Sequence, residues 1–172
     1  MSEVPEGVDL SGFVRKPPRP TATMTLTRDG PNGPEVLLGL RSETMAAFPG
    51  YWAFTGGGVS RVDTAAVESF SVLDVEHGEF IACILRETCE ELGVAPNGDH
   101  LISIDENARF DVIKDKANWL PHAEDCNIPV NVDNINILGH RITPPFGPVQ
   151  FDNAFIHFHC GDWPVSYTHL RA

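Results

Sequence analysis

Polar and apolar residues alternate over residues 21–27, dense turn chemistry follows at Asp29-Gly30-Pro31-Asn32-Gly33-Pro34, and 36–40 is apolar again, which predicts a β-hairpin. A short aromatic strand is expected at 51–54, broken by Gly56-Gly57-Gly58. Residues 59–78 are polar with little regular signal. The strongest helical pattern covers 79–92, where Ile81, Ile84, Leu85, Thr88 and Leu92 follow an i, i+3, i+4, i+7, i+11 stripe and Gly93 is placed to stop the helix. Beyond it, 101–104 and 108–113 read as short strands, and 114–131, with Trp119, Pro121 and Pro129, as a loop. Two further strands are expected at 135–142 and 151–160, separated by the proline-rich 143–148. One strong helix against several strands predicts an α+β or α/β fold with a mixed sheet.

The 172 residues are the length of one domain, with 42% apolar and 21% charged residues, so the composition is that of a globular protein. Residues 1–18 are rich in proline and charge without a period and read as an arm, after which the domain begins at 19. Lys and Arg total 12 against 24 Asp and Glu, a formal charge of -12 that repels phosphate backbones and anionic lipid over most of the surface. Nucleic acid and membrane are therefore poor partners, and an anionic small-molecule substrate would need locally concentrated positive charge, for which bound metal ions suffice. Cys83, Cys89, Cys126 and Cys160 show no CxxC spacing and read as reduced thiols. No apolar run approaches the roughly 20 residues that span a bilayer, and the first ten residues lack the layout of a signal peptide, so a cytoplasmic protein is expected. The final string, residues 165–172 (VSYTHLRA), resembles the translation of a transposase-type sequencing adapter. The natural domain is accordingly expected to occupy 19–164, with whatever follows Pro164 missing.

On the predicted helix, Glu87, Glu90 and Glu91 stand at i, i+3 and i+4, placing three carboxylates on one face. Oxygen donors clustered in this way suit a hard cation such as Mg²⁺ or Mn²⁺, which leaves other positions for water and substrate phosphate. Arg86 reaches Glu90 at i+4 and is able to orient it. Taken alone, the pattern fits a solvated acidic face better.

The order strand, Gly56-Gly57-Gly58, connecting segment and then Arg86-Glu87-Thr88-Cys89-Glu90-Glu91-Leu92-Gly93-Val94 changes that weighting, because it resembles the signature of the Nudix hydrolase family. The helical half of that signature runs Arg-Glu-apolar-x-Glu-Glu-x-Gly-apolar, with Thr88 here in the apolar slot. The resemblance, over about 19–160, implies a Nudix fold: an α/β/α sandwich with the signature loop and helix against a mixed sheet and, in this chain, the C-terminal helix missing. It also implies metal ligands Glu87, Glu90, Glu91 and the Gly56 carbonyl, with Gly57 opening the signature.

The sequence departs from the family pattern in two ways. The pattern puts five residues between the opening glycine and a structural glutamate and seven more before the arginine, whereas the nearest candidate, Glu79, lies far from Gly57, so the signature is interrupted at about 59–78. Thr55 stands where proline is usual. Interrupted signatures resemble the coenzyme A diphosphatase-like subset, and 37–42 (LLGLRS) resembles the segment ahead of the signature there.

What the resemblance implies is a diphosphohydrolase acting on a nucleoside diphosphate linked to another moiety, with coenzyme A or acyl-coenzyme A leading and ADP-ribose or dinucleotides following. A non-catalytic binding or regulatory module on the same fold is the competing reading, and a homodimer is compatible with either. Arg86, Glu87, Glu90 and Glu91 carry the chemistry, and Arg41 is the candidate for substrate phosphate. Glu90, Asp105, Glu106, Glu124 and Asp125 are candidates for the general base. His157 and His159 share a strand face and are of a type that binds zinc, although no second Cys/His pair sits at finger spacing. Trp119 and Phe146 are candidate base-stacking residues against an equal expectation of packing, and Phe151, Phe155 and Phe158 read as sheet packing.

Overall fold

A computed structural model describes residues 6–7, 17–45, 48–114, 119–144 and 149–161. The adapter-like string at 165–172, Phe146 and all of the arm except 6–7 and 17–18 lie outside the described residues.

The main sheet is built on β1 (Arg19–Gly30). β1 pairs antiparallel with β2 (Gly33–Val36) and β5 (Thr55–Gly58) and parallel with β9 (Phe151–His159), which pairs antiparallel with β8 (Ile135–Ile142). The sheet is therefore mixed. Alternation places Ala22, Met24 and Leu26 in the core and Thr21, Thr23 and Thr27 on the opposite face. The hairpin forms with a tighter turn than expected. Gly30 pairs with Gly33 across the two-residue loop Pro31-Asn32, so β2 ends where the apolar run begins. β3 (Gly39–Leu40) pairs with β4 (Trp52–Ala53), and β6 (Val94–Asn97) with β7 (His100–Ser103), in two small ribbons.

Several segments differ from the sequence expectation. The glycine triplet does not break a strand but forms most of β5. The polar 59–78 holds α1 (Arg61–Ser69) and a 3₁₀ turn at Ser71–Leu73. The strand expected at 108–113 is α3 (Glu106–Lys114), and the expected loop contains α4 (Trp119–Asp125), with Pro121 tolerated in its first turn.

The predicted central helix is α2 (Gly78–Leu92), ended by Gly93 in the left-handed conformation at φ 65°. It is buried on two sides, beyond its single predicted stripe. Phe80, Cys83, Ile84 and Leu92 meet Met24, Leu26, Ile156 and Phe158 of the sheet, while Ile81, Ala82, Leu85 and Cys89 meet Ala66, Val112, Trp119 and Leu120 of the helical layer. Thr88, in the apolar slot, is fully buried and donates from its hydroxyl to Met24 Sδ at 3.6 Å.

Candidate active site

The carboxylate helix meets the glycine strand at the open edge of β5. Arg86, although charged, is 2% exposed, and every direction of its guanidinium is used. Nε donates to Asp63 Oδ1 at 2.8 Å and Nη2 to Asp63 Oδ2 at 2.9 Å, while Nη1 donates to Glu87 Oε1 at 2.8 Å and Glu90 Oε1 at 3.3 Å. Nη2 also donates to the Gly58 carbonyl at 3.2 Å. Burial alone would lower the Arg86 pKa, but the hydrogen bonds and charge of Asp63, joined by Glu87, hold it above the ordinary value.

Asp63 is completely buried and belongs to the first turn of α1. Its Oδ2 also accepts from the Ser60 N–H at 2.8 Å and the Ser60 hydroxyl at 2.9 Å, forming the capping arrangement that starts α1. This corrects the position expected for the structural acid. Glu79 does not meet Arg86; Asp63 does, and five residues separate it from Gly57 as the family pattern requires. The extra residues follow Asp63, with twenty-two before Arg86 in place of seven. The signal was present in the spacing, but an aspartate stands where the pattern has glutamate.

Glu91 turns toward β5. Its Oε2 accepts from the Thr55 hydroxyl at 2.6 Å and from the Gly56 N–H at 3.2 Å. Thr55 thus supplies a donor that proline lacks. Gly57 is bare for a steric reason, since a Cβ there would overlap the Glu87 carboxylate, and one on Gly56 would overlap the Ala22 carbonyl. Burial raises the Glu87 pKa, Arg86 opposes the rise, and the charges of Glu90 and Glu91 add to it. Arg109 of α3, absent from the sequence expectation, donates to the Glu90 carbonyl at 2.9 and 2.6 Å and to the Glu91 carbonyl at 3.1 Å, closing the C-terminal end of α2.

The donor set, three carboxylates beside bare glycine backbone, fits a hard divalent cation in chemistry. As they stand, Glu87 and Glu90 face Arg86 and Glu91 faces Thr55, and no three acidic, imidazole or thiol side chains among the described residues are arranged to hold a metal ion. Cation binding requires some of these carboxylates to rotate.

A cavity of about 1410 Å³ opens on the face of the sheet away from α2, bounded by Gly56, Gly57 and Gly58 at one side and Arg141, Asn153 and Phe155 at another. Arg41 lines both this cavity and a small recess that contains Glu91 and Thr55, so it stands between Glu91 and the larger space. Phe151 and Phe155, expected in sheet packing, are 40% and 38% exposed and line the cavity, whereas Phe158 is in the core.

The remaining candidates are placed elsewhere. Asp105 caps α3, accepting from the Asn107 and Ala108 N–H groups, and neither it nor Glu106, Glu124 or Asp125 lines the cavity. Trp119 is buried in the helical core. His157 and His159 share a face as expected and contact the Thr27 hydroxyl at 2.8 and 3.1 Å, while Cys160 is buried with its thiol on the Thr27 carbonyl.

No family model matches the sequence, and no curated protein matches it. Among solved structures, the chain is similar to a NUDIX hydrolase from Alicyclobacillus acidocaldarius, with TM-score 0.71 and 25% identity over 92% of this chain and 76% of that one. It also matches a MutT/nudix family protein from Enterococcus faecalis at TM-score 0.47 and 17% identity, over 86% of this chain and 38% of that one. The first likeness, with the mixed sheet and its packed helices, establishes the Nudix hydrolase fold. Among the described residues no helix is long and apolar enough to cross a membrane.

Proposed function

We propose that this protein is a divalent-metal-dependent diphosphohydrolase that cleaves a nucleoside diphosphate linked to another moiety. The observation that carries the reading is the placement of Glu87 and Glu91 against the bare glycine strand, with Glu90 sharing Arg86 with Glu87 and Asp63 locked behind them. Glu87, Glu90, Glu91 and the Gly56 carbonyl would hold Mg²⁺ or Mn²⁺. Such a cation supplies positive charge to offset the diphosphate and acidifies water for in-line attack on phosphorus. Arg86 keeps the glutamates from collapsing away from one another, and Thr55 holds Glu91 at the strand. Arg41, which lines the recess beside Glu91, would bind the diphosphate and thereby orient it. Glu90, which shares Arg86 with Glu87, is the candidate to take the proton of the attacking water, whereas Asp105 is engaged in capping α3.

Coenzyme A or an acyl derivative is the leading substrate on the resemblance of the interrupted signature, followed by ADP-ribose and dinucleotides. The competing reading, a silent binding module, is disfavoured by the retention of all three carboxylates and their supporting hydrogen bonds. A phosphate-release screen with Mg²⁺ and Mn²⁺ over coenzyme A, ADP-ribose, dinucleotides and nucleoside triphosphates tests the proposal. Turnover by the wild type that is lost in Glu90→Gln supports it, and no release from any substrate sinks it.

A further inference from the structure

The cavity has a charge character opposite to that of the protein around it. The chain carries 24 acidic residues against 12 basic ones, yet the described residues that line the cavity include Arg41 and Arg141 and not one carboxylate. Chance placement on so acidic a surface would put carboxylates there first.

The polar floor is also organised. Thr21, Asn153 and Arg141 stand opposite one another on three neighbouring strands, β1, β9 and β8. The Thr21 hydroxyl donates to Asn153 Oδ1 at 2.9 Å and the Thr23 hydroxyl donates to the same oxygen at 3.1 Å. The two hydroxyls hold the Asn153 amide from the β1 side. Arg141 stands opposite Asn153 on β8 and both line the cavity, so the floor presents a side-chain amide beside a guanidinium. A group that satisfies both must be acceptor-rich and negatively charged, and a phosphoryl group meets both requirements with several oxygens.

We propose that Arg141 and Asn153 form a second anion subsite, which receives a phosphoryl group of the substrate other than the diphosphate that is cleaved. The subsite rests on the reading that the diphosphate lies at Glu87, Glu90 and Glu91. From there the glycine strand leads directly into the cavity, because Gly57 touches Glu87 on one side and lines the cavity on the other. The ligand class that fits is a nucleoside diphosphate derivative whose ribose bears an additional phosphate. Arg141 and Asn153 are then specificity-determining residues that touch substrate but not the reacting bond.

The test uses substrate pairs that differ by one phosphate, coenzyme A against its 3′-dephospho form and NADPH against NADH, hydrolysed with Mg²⁺ by the wild type, Arg141→Ala, Arg141→Lys and Asn153→Leu. Separately, calorimetry measures binding of adenosine 3′,5′-bisphosphate, adenosine 2′,5′-bisphosphate and AMP to the wild type and the same variants without metal. In at least one pair the wild type is expected to favour the phosphorylated member by about tenfold in kcat/KM, the worth of one charge-assisted hydrogen-bonded contact. Arg141→Ala and Asn153→Leu should each erase most of that ratio, and Arg141→Lys should retain part of it, which separates loss of charge from loss of fold. The matching bisphosphate should bind more tightly than AMP in the wild type and lose that advantage in Arg141→Ala. If nothing is hydrolysed but this binding difference holds, the catalytic reading falls and the subsite stands. Equal binding of both bisphosphates and AMP to the wild type overturns the subsite, whichever substrates are cleaved.

Discussion

Arg86 and Asp63 meet through two parallel hydrogen bonds, Nε to Oδ1 at 2.8 Å and Nη2 to Oδ2 at 2.9 Å, with side chains 3% and 0% exposed. The pair joins the first turn of α1 to the middle of α2, and Asp63 has no oxygen left without a donor. Removing one partner strands a buried charge. Asp63→Ala is expected to cost about 3–5 kcal/mol, read as a lower urea midpoint. Arg86→Lys should not restore the wild-type value, because an ammonium cannot bind Asp63 with two parallel donors while reaching Glu87 and the Gly58 carbonyl.

Glu87 carries a stability signature of its own. Its pKa is raised from 4.5 chiefly by burial, so ionisation is harder in the folded state than in the unfolded chain. The sign follows: this group's contribution is most favourable at low pH and is lost as pH rises from 4.5 through the raised folded value. Glu87→Gln should therefore be at least as stable as the wild type at neutral pH in metal-free buffer, with the difference shrinking on acidification. Saturating Mg²⁺ should raise the melting temperature of the wild type but not that of Glu87→Gln. A urea series across pH, with and without metal, checks both statements, and a variant less stable at neutral pH than at low pH relative to wild type would overturn the first.

Two adjacent glycines should fail differently. A methyl group on Gly56 runs into the backbone carbonyl of Ala22, which cannot move without shifting β1, so Gly56→Ala is expected to lose about 2–3 kcal/mol as an overpacked site. On Gly57 the atoms nearest the same methyl are those of the Glu87 carboxylate, the end of a side chain that can rotate. Gly57→Ala should stay folded, with a thermal midpoint near that of the wild type, while hydrolysis falls about 100-fold because a carboxylate has been displaced.

Thiol labelling reports the same packing. Burial pushes the Cys89 thiol up to about 11 and raises that of Cys83 further, with Asp63 adding to the rise, so neither is a thiolate at pH 8. Cys160 is buried and Cys126 is only partly buried. Iodoacetamide at pH 8 should label Cys126 rapidly in the native protein and the other three only after denaturation, as read by mass spectrometry.

The parts legible in the sequence were those in which a single period decides the outcome. Residues 135–142 form β8 with the predicted bounds, and α2 begins one residue early and ends at Gly93 as expected. The α+β class and the grouping of Arg86 with the glutamates follow from the same patterns. Other segments carry a misleading period. Ala108, Phe110 and Val112 alternate like a strand, but in α3 Ala108 and Val112 share the buried face at i, i+4 while Phe110 is 62% exposed. The glycine triplet has no strand propensity, and β1 imposes the extended form through pairing. Asp63 stands at the signature spacing from Gly57 but as an aspartate where the pattern has glutamate, and its burial against Arg86 is a property of the fold. The cavity floor likewise depends on Thr21, Asn153 and Arg141, residues far apart in sequence that only strand register brings together.

Because α2 is the shared wall of both cores, its backbone has no route to solvent that leaves either core intact. Amide protons in its middle should exchange only through unfolding of the whole domain, with free energies equal to the global value. The glutamates are thus mounted in the last turns of a helix packed against both cores. Damage to packing anywhere in the helical layer, far from any substrate atom, will reach them as a change in the population of active molecules before it alters the chemistry of those that remain.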